Sequence, residues 1–337
     1  MSDKLYKVNS LSSGAGIIVT YKCSAACLHC CYSSSPRRSG AYMSRQTADK
    51  IFPLLKKTGC RSVHIGGGEP FMNFDKLLDV CKSALENKVA IDYIETNASW
   101  YTDNKTVSDK LKKLLSVGVD CLLISIDPFH NEFIPYVKIK NLIDCCRKNN
   151  MGTFLWQARF ESIIEYFDEN TTHSLEEYEN IFGGDFVKKI AESYSLGYNG
   201  RAIKILEKIN RNRYSPDYFL RGDNNSCKSR ITSLGHFHVD PDENLIPPSC
   251  NGFRAGIFDL CINGLDNQKY INFMSVVNNG LEELFDRART LGFVPDINGY
   301  VSKCALCFDI KKYICEEEIK RTGNEPADIG PAGFFDL

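Results

Sequence analysis

"AGIIVTYKCSAACLHCCYSSSP", Ala15 to Pro36, runs from a β-branched apolar segment straight into four cysteines within nine positions. The apolar part has the composition of a buried strand. Cys23, Cys27, Cys30 and Cys31 therefore sit on the loop leaving its carboxyl end. Thiols so placed suit a disulfide framework, a zinc site or an iron–sulfur cluster, and the rest of the chain has to choose.

Composition narrows the choice. The 337 residues are 43% apolar and 25% charged, enough for a globular chain of one large domain or two smaller ones. Lys and Arg number 41 against 42 Asp and Glu, and no long basic run points to nucleic acid. The N-terminus lacks the basic-then-apolar pattern of a signal peptide, and no apolar stretch is long enough to span a bilayer. The expected location is the cytoplasm, where thiols stay reduced. Fifteen cysteines, an odd number with several closely spaced, then fit metal or redox chemistry better than disulfides.

Outward from the first strand, the pattern alternates. "SRQTADKIFPLLKKTG" carries a Ser44 cap signal and a Gly59 stop, with Pro53 expected to kink or shorten the helix. "RSVHIGGGEP" is a strand running into glycines. "VAIDYIETNAS", "VDCLLISIDP" and "GTFLWQARF" are further strands, separated by segments of helical spacing. A sixth strand is expected near "ESYSLGY", ahead of "NGRAIKILEKI". Strands apolar on both faces imply a parallel sheet with helices outside it, an α/β partial (β/α)6 TIM-like barrel over residues 1–210. In such sheets ligands gather beyond the carboxyl ends of the strands. The cysteines, "GGGEP", "ETNAS" and "SIDPFH" all fall there. Residues 211–337 are expected to form a smaller α+β domain, with a hairpin turning at "DPDEN" and a helical stretch leading to "KCALCFDIKKYIC".

Cys23, Cys27 and Cys30 form C-x3-C-x2-C. Three thiolates on one tight loop can hold three corners of a [4Fe–4S] cubane and leave the fourth iron open. Zinc closes its structural sites with four ligands, for which Cys31 or His29 could serve. Adjacent Cys30 and Cys31 would bind one ion together only with strain.

This spacing after the first strand, with "GGGEP" after the second, resembles the radical S-adenosylmethionine (SAM) superfamily over Ala15 to Ile209. The resemblance implies that SAM chelates the open iron, and that one electron cleaves it to methionine and a hydrogen-abstracting 5′-deoxyadenosyl radical. It further implies that Gly66, Gly67, Gly68 and Glu69 meet the methionyl amino group. Ser125 and Asp127 resemble ribose or carboxylate contacts, Arg159 on the fifth strand a partner for the SAM carboxylate, and His29 a neighbour of adenine. Cys227, Cys250, Cys304 and Cys307 resemble the twitch domain of some relatives, which binds a second, auxiliary [4Fe–4S] cluster. A zinc knuckle is the alternative for these four.

Cys60, Cys81, Cys121, Cys145 and Cys146 read as small apolar core residues. Cys31, Cys261 and Cys315 are candidates for delivering a hydrogen atom to a substrate radical or supplying an extra cluster ligand, with an inert thiol the alternative for each. Twitch-bearing relatives imply one of two substrates. The first is a ribosomally made peptide undergoing epimerisation, crosslinking or oxidation. The second is a cyclitol or aminoglycoside-type molecule undergoing dehydrogenation or epimerisation. "HCCYSSSP" resembles the loop of peptide epimerases, although only about fourteen residues precede the first strand. An electron donor such as flavodoxin or ferredoxin is implied as partner. A zinc-stabilised binding protein without catalysis is the reading from a different class.

Overall fold

Through its fifth strand the chain follows the expected alternation. The computed structural model describes residues 5–194, 196–221 and 225–337. In order come β1 (Ala15–Thr20), α1 (Arg45–Lys57), β2 (Ser62–Gly67), α2 (Phe74–Glu86), β3 (Ala90–Thr96), α3 (Asn104–Ser116) and β4 (Cys121–Ser125). The short α4 (Pro128–Asn131), α5 (Tyr136–Lys148) and β5 (Gly152–Trp156) complete the repeat. Side-chain caps start the helices. Ser44, Asn73 and Asp103 accept from the backbone N–H groups of Thr47, Lys76 and Thr106. Pro53 lies within α1 without ending it.

The sixth strand departs from expectation. The segment up to Tyr194 is helical: α6 (Leu175–Phe182) leads to α7 (Phe186–Tyr194). Of the stretch expected to be a strand, Ser195 lies outside the described residues. Phe186, Val187, Ile190, Ala191 and Tyr194 recur at helical spacing and are buried, and that period outweighs the β-prone look of "ESYSLGY". The sixth parallel strand is instead β6 (His238–Val239), which pairs with β1 through Gly16–His238 and Ile17–Val239. β7 (Asn244–Ile246) and β8 (Ala255–Gly256) follow antiparallel, so the expected hairpin forms. The sheet order is β5-β4-β3-β2-β1-β6-β7-β8. Residues beyond 211 thus extend the barrel sheet at its β1 edge.

Between and after these strands lie α8 (Ile203–Ile209), α9 (Pro216–Leu220), α10 (Asn225–Thr232), α11 (Ile271–Asn279), α12 (Leu281–Thr290) and α13 (Lys303–Thr322). One large apolar core joins the strands to α1, α2, α3, α5 and the C-terminal helices. A second, smaller cluster packs Cys23, Ala25 and Cys27 against Phe129, Phe160 and the inner faces of α6 and α7. The cysteine loop therefore rests on its own apolar support.

Candidate functional site

The cysteine loop leaves β1 at the carboxyl end of the sheet, and the end of β2 presses against it. A Cβ on Gly68 would lie 1.9 Å from the Lys22 carbonyl oxygen, and one on Gly67, at φ +123°, 2.5 Å from that of Thr20. Only glycine allows this approach. Backbone N–H groups of Gly68 and Glu69 donate to the carbonyls of Thr20 and Lys22. Cys23, Cys27 and Cys30 lie within electrostatic reach of one another. Burial pushes the Cys23 and Cys27 thiols up. Hydrogen-bond donors meet the sulfurs: Ala25 N at 3.4 Å and Asn97 Nδ2 at 3.5 Å from Cys23 Sγ, and Ser34 N at 3.4 Å from Cys30 Sγ.

Arg201 braces the loop from outside. Its backbone N–H donates to Cys30 O, its Nε to Cys27 O at 3.0 Å, and its Nη2 to Ser34 O at 2.5 Å. The guanidinium is buried, and its fork geometry ties both sides of the loop together. Nothing in the sequence pattern singles it out.

Glu69 is buried and fully engaged. Its carboxylate accepts from Phe71 N, Asn97 N and Thr96 Oγ1. Burial raises its pKa to about 7 against the pull of those donors. The side chain thus locks the end of β2 to the "ETNAS" turn after β3, and that turn carries Asn97 to Cys23.

Asp127 caps α4 and holds His130, accepting from its backbone N–H and, at 2.7 Å, from its ring Nδ1. Tyr194 Oη donates to Asp127 at 3.1 Å and sits 3.2 Å from His29 Nε2. Although burial works the other way, His130 keeps the Asp127 carboxyl well below its usual range. The Asp127 oxygens are therefore spent on protein partners. Its geometry aims His130, which hydrogen-bonds Cys27. Ser125 ends β4, buried.

His29 packs among Phe129, His130 and Tyr194 at centroid distances of 4.8, 4.9 and 5.1 Å. Arg159 differs from expectation. β5 stops at Trp156 because Gln157 adopts left-handed φ 68° and turns the chain off the sheet. Arg159 follows in a 3-10 turn, exposed, and donates to Ser193 O. It borders a surface cavity of about 530 Å³ with Phe154, Trp156 and Tyr194.

The four later cysteines converge from three segments. Cys227 lies on α10, Cys250 in the turn after β7, and Cys304 and Cys307 in the first turns of α13. Cys250 interacts electrostatically with the other three. Burial pushes Cys250 and Cys307 up to about 12, while the nearby Lys311 ammonium favours their thiolates. Lys311 is itself buried, donating to Asn251 O at 2.6 Å. Its spacing of four from Cys307, one helical turn, could have flagged it.

Of the other thiols, Cys31 lies within electrostatic reach of Cys30 and Glu95 and meets the Asn251 amide. Asn251 Nδ2 also donates to Cys31 O at 3.0 Å. Cys261 and Cys315 are buried in the large core. Burial pushes them up to about 11 and about 12.

Both cysteine sets fit iron–sulfur clusters. The first offers three thiols, Cys23 and Cys30 with N–H donors already on sulfur, while His29 Nδ1, Ser33 Oγ and Ser34 Oγ on the same loop are buried without a protein partner. The second places a buried cation among four thiols, which suits anionic cysteinates.

Comparison with known proteins agrees with this geometry. Residues 17–174 match the Radical SAM superfamily. "Putative peptide biosynthesis protein YydG" of Bacillus subtilis (strain 168) is 28% identical over 127 residues, 38% of this chain and 40% of that protein. The chain thus matches well under half the length of this curated relative. Among solved structures, anSMEcpe with bound AdoMet shares 13% identity at TM-score 0.43, covering 92% of this chain and 94% of that one. Streptococcus suis SuiB bound to S-adenosylmethionine shares 15% at TM-score 0.36, covering 74% and 64%. At such scores neither structural likeness carries weight. The cysteine loop, the glycine approach and the family match lie in one segment: residues 17–174 match the Radical SAM superfamily, a radical SAM domain within this chain.

Proposed function

We propose that this enzyme reductively cleaves SAM and abstracts a hydrogen atom from a ribosomally made peptide. Cys23, Cys27 and Cys30 would hold one [4Fe–4S] cluster, and Cys227, Cys250, Cys304 and Cys307 a second. When bound, the first cluster passes an electron, received from a donor such as flavodoxin or ferredoxin, to SAM and so generates the abstracting radical.

The observation that carries the reading is the braced three-thiol loop with the Gly66–Glu69 turn pressed against it. Arg201 and Asn97 fix that loop, and Glu69 fixes the turn. His29, Phe129 and Tyr194 supply an aromatic wall. Cys31 is the thiol proposed for hydrogen-atom return, a buried thiol outside the C-x3-C-x2-C set that lies near Glu95 and the Asn251 amide as well as Cys30. The peptide class is supported by the Bacillus relative, whose name is that of a peptide biosynthesis protein.

Anaerobic preparation tests the first level. The wild type is expected to hold about eight irons per chain and, when reduced with SAM, to release 5′-deoxyadenosine. Cys27→Ala should keep about half the iron and release none. Zinc in place of iron, with no 5′-deoxyadenosine, would sink the enzyme reading. For the substrate, a small peptide encoded beside the gene is incubated in D2O. Deuterium uptake without other mass change marks epimerisation, and its loss in Cys31→Ala identifies the donor. Loss of two hydrogens marks oxidation. An unchanged peptide rejects the peptide reading.

A further inference from the structure

The inner face of the sheet carries a second constellation that neither cysteine set uses. His64 on β2, His238 on β6 and His236 just before it bring one nitrogen each within 4.8 Å of one another. Glu95 on β3 joins them, its Oε1 3.5 Å from His64 Nε2. We propose that His64, His236, His238 and Glu95 form a binding site for a zinc-class divalent transition metal that fastens β6 into the barrel.

Four features carry this. First, the donor set is complete: three imidazoles and a carboxylate are ligands zinc accepts in tetrahedral sites. Second, room is kept for the rings. β1 is otherwise mostly apolar and rich in β-branched residues, yet it places Gly16 opposite the cluster. A Cβ there would lie 2.0 Å from His238 Cδ2 and 2.8 Å from His64 Nε2. Glycine in a strand interior weakens the strand, and often marks close approach of another group.

Third, His64 is oriented as metal-bound imidazoles are. Its ring also hydrogen-bonds the Gly14 backbone, which leaves Nε2 facing Glu95 and the other rings. Such an outer partner fixes the tautomer and ring direction of a ligating histidine. Fourth, an aromatic fence surrounds the rings: Tyr93 stacks on His64 at 5.1 Å, Phe154 meets Tyr93 at 5.2 Å, and Tyr32 meets His238 at 5.4 Å.

The nitrogens need draw in only modestly. Zinc–nitrogen bonds of about 2.0–2.1 Å place tetrahedral ligands about 3.3 Å apart, and His236, exposed and stacked on His64 at 5.2 Å, would turn its ring inward on binding. Four protein ligands close the site, so its role is structural. It joins β2 and β3 of the barrel to a strand contributed from beyond residue 211.

The test uses the cluster-loaded enzyme, so that the cysteines are occupied, dialysed against zinc and then against metal-free buffer. Elemental analysis should give about one zinc per chain beyond the iron, and absorption at the zinc edge should show nitrogen and oxygen ligands at about 2.0–2.1 Å without sulfur. In His236→Ala, an exposed position that folding tolerates, zinc should fall to near zero with iron content unchanged. Glu95→Gln should bind zinc at least tenfold more weakly. No retained zinc in the wild type, sulfur in its ligand shell, or retention unaffected by both substitutions would overturn the proposal.

Discussion

Arg201 shows what a single side chain contributes to this site. Its guanidinium spends two buried donors on carbonyls of the cysteine loop. Hydrogen bonds to charged groups contribute about 1.5–3 kcal/mol each, so Arg201→Ala should cost about 3 kcal/mol in urea unfolding and lower the iron retained after reconstitution. Arg201→Lys should not restore iron, because an ammonium cannot span both carbonyls. Gly68 gives the complementary case. A methyl group there would lie 1.9 Å from the Lys22 carbonyl oxygen, so Gly68→Ala forces backbone to move on one side or the other. A loss of about 2–4 kcal/mol is expected, read as a lower urea midpoint, together with weaker iron binding.

At the scale of elements, α11 is capped from far along the chain. Asp328 accepts from Asn272 N at 2.7 Å and Phe273 N at 2.8 Å, and so ties the C-terminal segment to that helix. Asp328→Ala should cost about 1–2 kcal/mol. Burial raises the Asp328 carboxyl above its usual value. An acid so shifted binds its proton more tightly in the folded chain. The associated stability is complete below the unfolded pKa and lost as pH rises through the folded one. The cost of Asp328→Asn, measured by urea midpoints, should therefore shrink as pH rises from about 4 to 8. The α/β rhythm is legible because both periods are strong in the sequence, and Cys23, Cys27 and Cys30 stand out because their spacing is local. Tyr194 misleads because Ser193 to Tyr198 has β-prone composition, while the apolar residues leading up to it keep a helical period. β6 escapes notice as a barrel strand because two residues carry no period at all. Arg159 reads as a strand residue because the left-handed turn at Gln157 has no glycine to announce it.

For the whole molecule, the C-terminal part completes the barrel's edge rather than standing apart from it. β6 covers the β1 edge, and Asn199 and Asn251 tie the two parts through Ser249 O and Cys31 O. A fragment ending at residue 210 would bare the backbone of an apolar strand, which is a template for association. It should elute as aggregate in size exclusion and fail to hold the first cluster, despite containing Cys23, Cys27 and Cys30. If such a fragment were monomeric and bound four irons, the sheet would not depend on its added strand.

The Asn251–Cys31 contact spans 220 positions of chain, and that separation sets an order of events during synthesis. At about 5–20 residues per second, the cysteine loop leaves the ribosome roughly ten to forty seconds before Asn251 does. Throughout that interval its thiols are unshielded from oxidants and stray metal ions. Delivery of iron and sulfide is thus best timed to chain completion, and oxygen encountered earlier would damage the nascent loop rather than the finished enzyme.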